Sequence, residues 1–133
     1  MKSVKLLFVA LVALSMNISC SAQTSEKEEN TKTGGVEVLY FHYTRRCATC
    51  NAVESVSREA VAELYGNKVS FADFNLDEPD GEAKGKELEV SGQTLLIIAG
   101  DKKIDITNEG FMNARSNPDK LKQIIKEKID PLL

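Results

Sequence analysis

"YFHYTRRCATCNAVE", residues 40–54, sets an apolar, aromatic run directly in front of two arginines and a pair of cysteines two residues apart. Two such sulfurs can be a metal clip, a structural staple or a pair of reactive thiols, and the flanking sequence decides between them. Upstream, "VEVLYFHY" (36–43) is rich in β-branched and aromatic residues and almost continuously apolar, the pattern of a strand covered on both faces. Downstream, Val53, Val56, Ala60, Val61 and Leu64 recur at helical spacing, Glu54 and Arg58 can pair four apart, and Gly66 supplies a stop. The cysteines therefore sit where a central strand hands over to a helix.

Further along, "KVSFADFNLD" (68–77) is a second strand, and a weak helix follows from about Asp80 to Glu89, diluted by Gly81 and Gly85. "TLLIIAGDKKIDIT" (94–107) reads as a hairpin: a buried strand, a tight turn at Gly100 and Asp101, and a shorter strand ending at Thr107. "SNPDKLKQIIKEKI" (116–129) closes the chain as a helix, with Ser116 or Asn117 as cap and Pro118 in the first turn. Leu121, Ile124, Ile125 and Ile129 line one face of it. The order is β-α-β-α-β-β-α, and a mixed four-stranded sheet between helices is its natural packing. Tyr40, Phe41 and Tyr43 are assigned to the core.

The chain has 133 residues, one domain's worth, and a formal net charge of −3. With so weak an acidic balance it offers no basic field for phosphates, which argues against a nucleic-acid partner. The first 22 residues differ from the rest. Lys2 and Lys5 precede an apolar run from Leu6 to Met16, and small residues follow around Cys20. This is the pattern of an export signal, and the run is shorter than the roughly 20 apolar residues a bilayer span needs. Cys20 has two readings: the lipid-modified first residue of a mature lipoprotein, or a residue discarded by cleavage after Ala22. Residues 23–35, including "SEKEENTKTGG", carry nothing able to offset the cost of ordering and read as a flexible tether. Residues 36–133 form the folded domain, with only Cys47 and Cys50 as its thiols.

Taken together, "VLYFHYTRRCATC", "VSFADFNLDE", "VSGQTLLII" and "GDKKI", in that order over about residues 36–130, resemble the thioredoxin-like family. The resemblance implies a sheet of spatial order 2-1-3-4 flanked by helices, and thiol–disulfide exchange without a cofactor. A cysteine in a helix's first turn faces unpaired N–H groups and the positive end of the helix dipole, which favours its thiolate over the free thiol of pKa about 8.5. Cys47 takes that place as attacking thiol, and Cys50, one turn deeper, resolves the mixed disulfide. Arg45 and Arg46 can support the anion or serve as solvated charge, and His42 can relay a proton or be a structural residue. Ala48 and Thr49 stand where thioredoxins have Gly-Pro.

Two positions depart from the family pattern. Six residues before Cys47, where thioredoxins bury an aspartate, stands Phe41. Aligning Thr94 with the family's threonine puts Gln93 where a cis-proline normally faces the cysteines and docks substrate backbone, and a non-proline residue there is expected in the trans form. Gln93 and Thr94 are the candidate substrate-binding residues.

Two rivals remain. Two thiols and one imidazole in the domain are too few for a closed zinc site, and Asn51 after Cys50 removes the haem-attachment pattern, so no metal site is assigned. The missing proline keeps a soft-metal, copper-handling reading alive, and a thioredoxin-fold binding module without turnover is the other. The expected partners are protein thiols and disulfides, a membrane redox partner if the protein acts reductively, and the membrane itself through Cys20. The expected location is exported, periplasmic or membrane-anchored.

Overall fold

The computed structural model describes residues 35–133; the leader 1–22 with Cys20, and the tether as far as residue 34, lie outside the described residues. Strand β1 (Val36–His42) leads into helix α1 (Ala48–Tyr65), strand β2 (Val69–Asn75) and helix α2 (Pro79–Glu87). Strands β3 (Thr94–Ala99) and β4 (Lys102–Asp105) form the hairpin, followed by helices α3 (Thr107–Asn113) and α4 (Pro118–Ile129). The sheet order is β2-β1-β3-β4, with β1 parallel to β2 and antiparallel to β3, and β3 antiparallel to β4. This is the 2-1-3-4 mixed sheet expected from the sequence.

Strand β1 is central and buried on both faces, which is why its sequence does not alternate. Val36, Val38 and Tyr40 join Val53, Ala60 and Val61 of α1 and Leu121, Ile125 and Ile129 of α4 in the larger core. Leu39 and Phe41 point the other way, to Leu96, Phe74, Leu76 and Leu88, with Phe41 stacked on Phe74 at 5.3 Å between ring centroids.

Helix α1 stops at Gly66, whose φ of +54° is open to glycine and whose N–H bonds back to the Ala62 carbonyl. Asn117 caps α4, its side chain accepting from the Lys120 N–H, with Pro118 in the first turn. Ile124, assigned to the buried face of α4, is only partly buried.

Three expectations need correction. The second hairpin strand ends at Asp105, not Thr107, because Ile106 turns into the core and Asp105 accepts from the Thr107 N–H at 2.9 Å, opening helix α3. That helix was not foreseen. It packs through Gly110, where an added Cβ would lie 3.1 Å from Leu95 Cδ2. Tyr43 is not core: it is 37% exposed, and its hydroxyl donates to the Ser91 carbonyl. Among the described residues no helix is long and apolar enough to cross a membrane.

Candidate active site

The chain leaves β1 at His42 and reaches α1 through a short loop, Tyr43 to Arg46. Two hydrogen bonds seat the loop: the Thr44 N–H donates to Asp77 Oδ2 at 2.8 Å, and Asn75 Nδ2 donates to Thr44 Oγ1 at 2.9 Å. Cys47 is the N-cap of α1 in an extended conformation (φ −88°, ψ 168°), and its Sγ accepts the Cys50 N–H at 3.1 Å. A sulfur thus fills the place where serine or aspartate usually satisfies a free helix amide.

Cys47 and Cys50 are joined as a disulfide, with Cα atoms 5.1 Å apart. Their exposures differ: Cys47 is exposed and Cys50 is 2% exposed. When the pair is reduced, a charge on Cys47 meets the N-terminal amides of an 18-residue helix. The accessible sulfur is the one whose anion the helix favours.

His42 and Arg46 lie in a network the sequence did not reveal as a unit. His42 is 3% exposed, with Nε2 3.2 Å from Asp73 Oδ2. Arg46 Nε lies 3.1 Å from His42 Nδ1, which is also 3.0 Å from the Tyr43 carbonyl, and Arg46 Nη2 lies against Nε2. The Arg46 guanidinium also pairs with Glu54 and lies 3.8 Å from Asp73 Oδ2. Arg58 completes the cluster, donating to Glu54 Oε1 at 2.9 Å and Asp73 Oδ1 at 2.8 Å and covering the Phe71 ring at 4.7 Å. The i,i+4 pairing of Glu54 with Arg58 was legible. Asp73 was missed, and the signal for it is a lone carboxylate inside the strand run "VSFADFN".

Burial pushes the Asp73 carboxyl up, but hydrogen bonds and charge from His42 and Arg58 outweigh it and hold it below the usual carboxylate range. Tyr40, whose ring centroid is 5.8 Å from that of His42, has its phenol pushed up to about 12, chiefly by burial. Donor atoms of His42, Glu54 and Asp73 come within 4.8 Å of one another, a spacing a cation could bridge. Two guanidiniums already hold these carboxylates, and their positive charge opposes a bound cation. Arg45 is simply exposed.

Opposite the disulfide, Gln93 precedes β3 through a trans peptide; no cis bond occurs among the described residues. Its Oε1 lies 3.4 Å from Cys50 Sγ. Thr94 opens β3 opposite Phe41, and its hydroxyl donates to the Gly92 carbonyl at 2.9 Å. Phe41 is wholly buried in apolar surroundings, so no acid occupies the position six before Cys47.

No protein-family model matches the chain, and no curated protein matches it. Solved structures do. Thioredoxin O2 from Arabidopsis thaliana, in the oxidised state, superposes with a TM-score of 0.53 at 22% identity, over 71% of this chain and 75% of that one. Thioredoxin f2 from Chlamydomonas reinhardtii gives 0.51 at 19%, over 74% and 82%. The germline-specific thioredoxin Deadhead from Drosophila melanogaster gives 0.50 at 18%, over 75% and 83%. The fold is that of thioredoxins. Together with a C-x-x-C pair closed as a disulfide, it supports thiol–disulfide redox chemistry in general.

Proposed function

We propose that this protein carries out thiol–disulfide exchange on exported proteins, with Cys47 attacking and Cys50 resolving. One observation carries the reading: the exposed sulfur of the pair caps α1 and accepts the Cys50 N–H at 3.1 Å, while its partner is buried. In the reductive direction the Cys47 thiolate attacks a substrate disulfide, that S–S bond breaks, and one substrate thiolate leaves. Cys50 then loses its proton to solvent and attacks Cys47 Sγ, expelling the second substrate thiolate. The substrate has gained two electrons, taken up two protons from solvent, and left the Cys47–Cys50 pair oxidised. The reverse sequence oxidises a substrate dithiol.

A reductive role in an oxidising compartment requires electrons from a membrane dithiol partner. Export and lipidation of Cys20 belong to the same proposal, resting on the leader pattern; the mass of the mature chain tests them, an acylated Cys20 supporting the anchor and cleavage after Ala22 removing it.

The mechanism is tested by trapping. A Cys50→Ser variant is expected to hold substrates covalently on Cys47, and a Cys47→Ser variant to hold none. Equal trapping by both, or a disulfide that strong thiol reductants leave oxidised, overturns the assignment in favour of a non-cycling binding module.

A further inference from the structure

Cys50 is almost wholly enclosed, and among the described residues the side chain at hydrogen-bond reach of its sulfur, apart from Cys47, is Gln93. The carboxamide is delivered by a fixed element. Thr94 bonds back to the Gly92 carbonyl, the Leu95 N–H donates to Thr107 Oγ1 at 2.9 Å, and the strand is paired along its length with β1. Of the ionisable groups on the surrounding elements, His42 on β1, Arg46 in the loop, Glu54 and Arg58 on α1, and Asp73 on β2 are engaged with one another, Arg45 is exposed, and the buried Tyr40 hydroxyl has no hydrogen-bond partner among the described residues.

In the oxidised pair Cys50 Sγ carries no proton, so the 3.4 Å approach of Gln93 Oε1 is a contact awaiting a donor. Reduction places a proton on that sulfur. We infer that in the reduced protein the Gln93 carbonyl accepts the Cys50 S–H and holds the resolving thiol in its protonated form. This deepens the exchange reading and rests on it. A hydrogen bond made to the neutral form disfavours ionisation, so the negative charge of the reduced pair stays on Cys47, under the α1 amides. A carboxamide, unlike a carboxylate, cannot take the proton away. The mixed disulfide then persists until Cys50 breaks this bond, gives its proton to water and attacks Cys47 Sγ. Gln93 is in this sense a brake on resolution, acting on a reacting atom of the protein itself.

Two readouts on the mature chain test the inference. The first is the infrared S–H stretch of Cys50 in a Cys47→Ser background, which needs no turnover: Gln93→Leu, close in size but without an acceptor, is expected to move the band to higher wavenumber. The second is release of thionitrobenzoate from a mixed disulfide preformed on Cys47, followed against pH. Gln93→Leu is expected to accelerate release roughly fivefold, the worth of one net hydrogen bond. Gln93→Glu is expected to add an inflection that follows the new carboxyl's titration. An unshifted S–H band, slower release by Gln93→Leu, or a Gln93→Glu profile without the inflection overturns the proposal. If Gln93→Leu fails to fold, the Gln93→Glu profile decides. If wild-type protein releases no thionitrobenzoate, the exchange reading falls, and the S–H band alone still judges the contact.

Discussion

The backbone carbonyl of Asn75 occupies the space that a side chain on Gly81 would need. Helix α2 starts on the end of β2, with the Glu78 N–H bonded to the Asn75 carbonyl at 3.0 Å, and a glycine lets the two backbones approach this closely. Gly81→Ala must therefore displace the helix, and is expected to destabilise by about 1–3 kcal/mol in denaturant unfolding, the range of overpacked sites. Gly85→Ala is the control. Its added methyl meets the movable Cδ2 of Leu76 at 2.9 Å, and a gain of up to about 1 kcal/mol in helix propensity offsets that push, so little net change is expected. Equal losses at both sites would refute this account of Gly81.

These glycines mark how far the sequence could be read. As sequence they only weaken a helix, because propensity counts a missing side chain as lost order; the carbonyl that requires Gly81 belongs to another element. The strands were legible for the opposite reason: "VLYF" and "LLII" are buried on both faces of a central pair, and continuous apolar runs report that without knowledge of the partner. The cysteine pair was legible because capping a helix with Cys47 is a local matter. Helix α3 was not, since its seven residues, TNEGFMN, hold too few apolar positions to show a period. Asp73 and Gln93 draw their meaning from residues 31 and 43 positions away, His42 and Cys50.

Tyr40 is fully buried, and its hydroxyl has no hydrogen-bond partner among the described residues. An unsatisfied buried hydroxyl costs stability, so Tyr40→Phe is expected to leave the protein unchanged or up to about 1 kcal/mol more stable. The phenol's raised pKa adds a pH signature. A group that ionises more readily in the unfolded chain keeps its contribution below the unfolded value of 10.0 and loses it as pH rises towards about 12. The advantage of the Phe variant should widen over that interval in thermal unfolding. A variant losing more than about 1 kcal/mol at neutral pH would show that the hydroxyl is partnered.

Asn117 stands at the start of the last helix, its Oδ1 accepting from the Lys120 N–H at 3.1 Å. Asn117→Ala removes that acceptor while Pro118 keeps the backbone entry, so a loss of about 1 kcal/mol is expected. Asn117→Asp should retain the bond and favour the positive helix end, matching or exceeding the wild type. Denaturant midpoints of the three proteins check the order; an alanine variant as stable as the aspartate variant would remove the cap from the account.

Asp73 ties β2 to both basic partners, accepting from His42 Nε2 at 3.2 Å and from Arg58 Nη2 at 2.8 Å. Its side chain is 34% exposed and that of Arg58 50%, so solvent screens much of the attraction. Asp73→Asn is accordingly expected to cost only about 1 kcal/mol at neutral pH, most of it from leaving the buried His42 with a weaker acceptor. The sign of the pH dependence follows from the depressed carboxyl. Its stabilising share is complete above the unfolded aspartate value of about 3.9 and disappears as pH falls through the lower folded value. The difference between wild type and Asp73→Asn should therefore be flat above about pH 5 and close on the acid side of about pH 4. A gap that stays constant down to acid unfolding would mean that the Asp73 charge contributes nothing and that only the shape of the side chain matters.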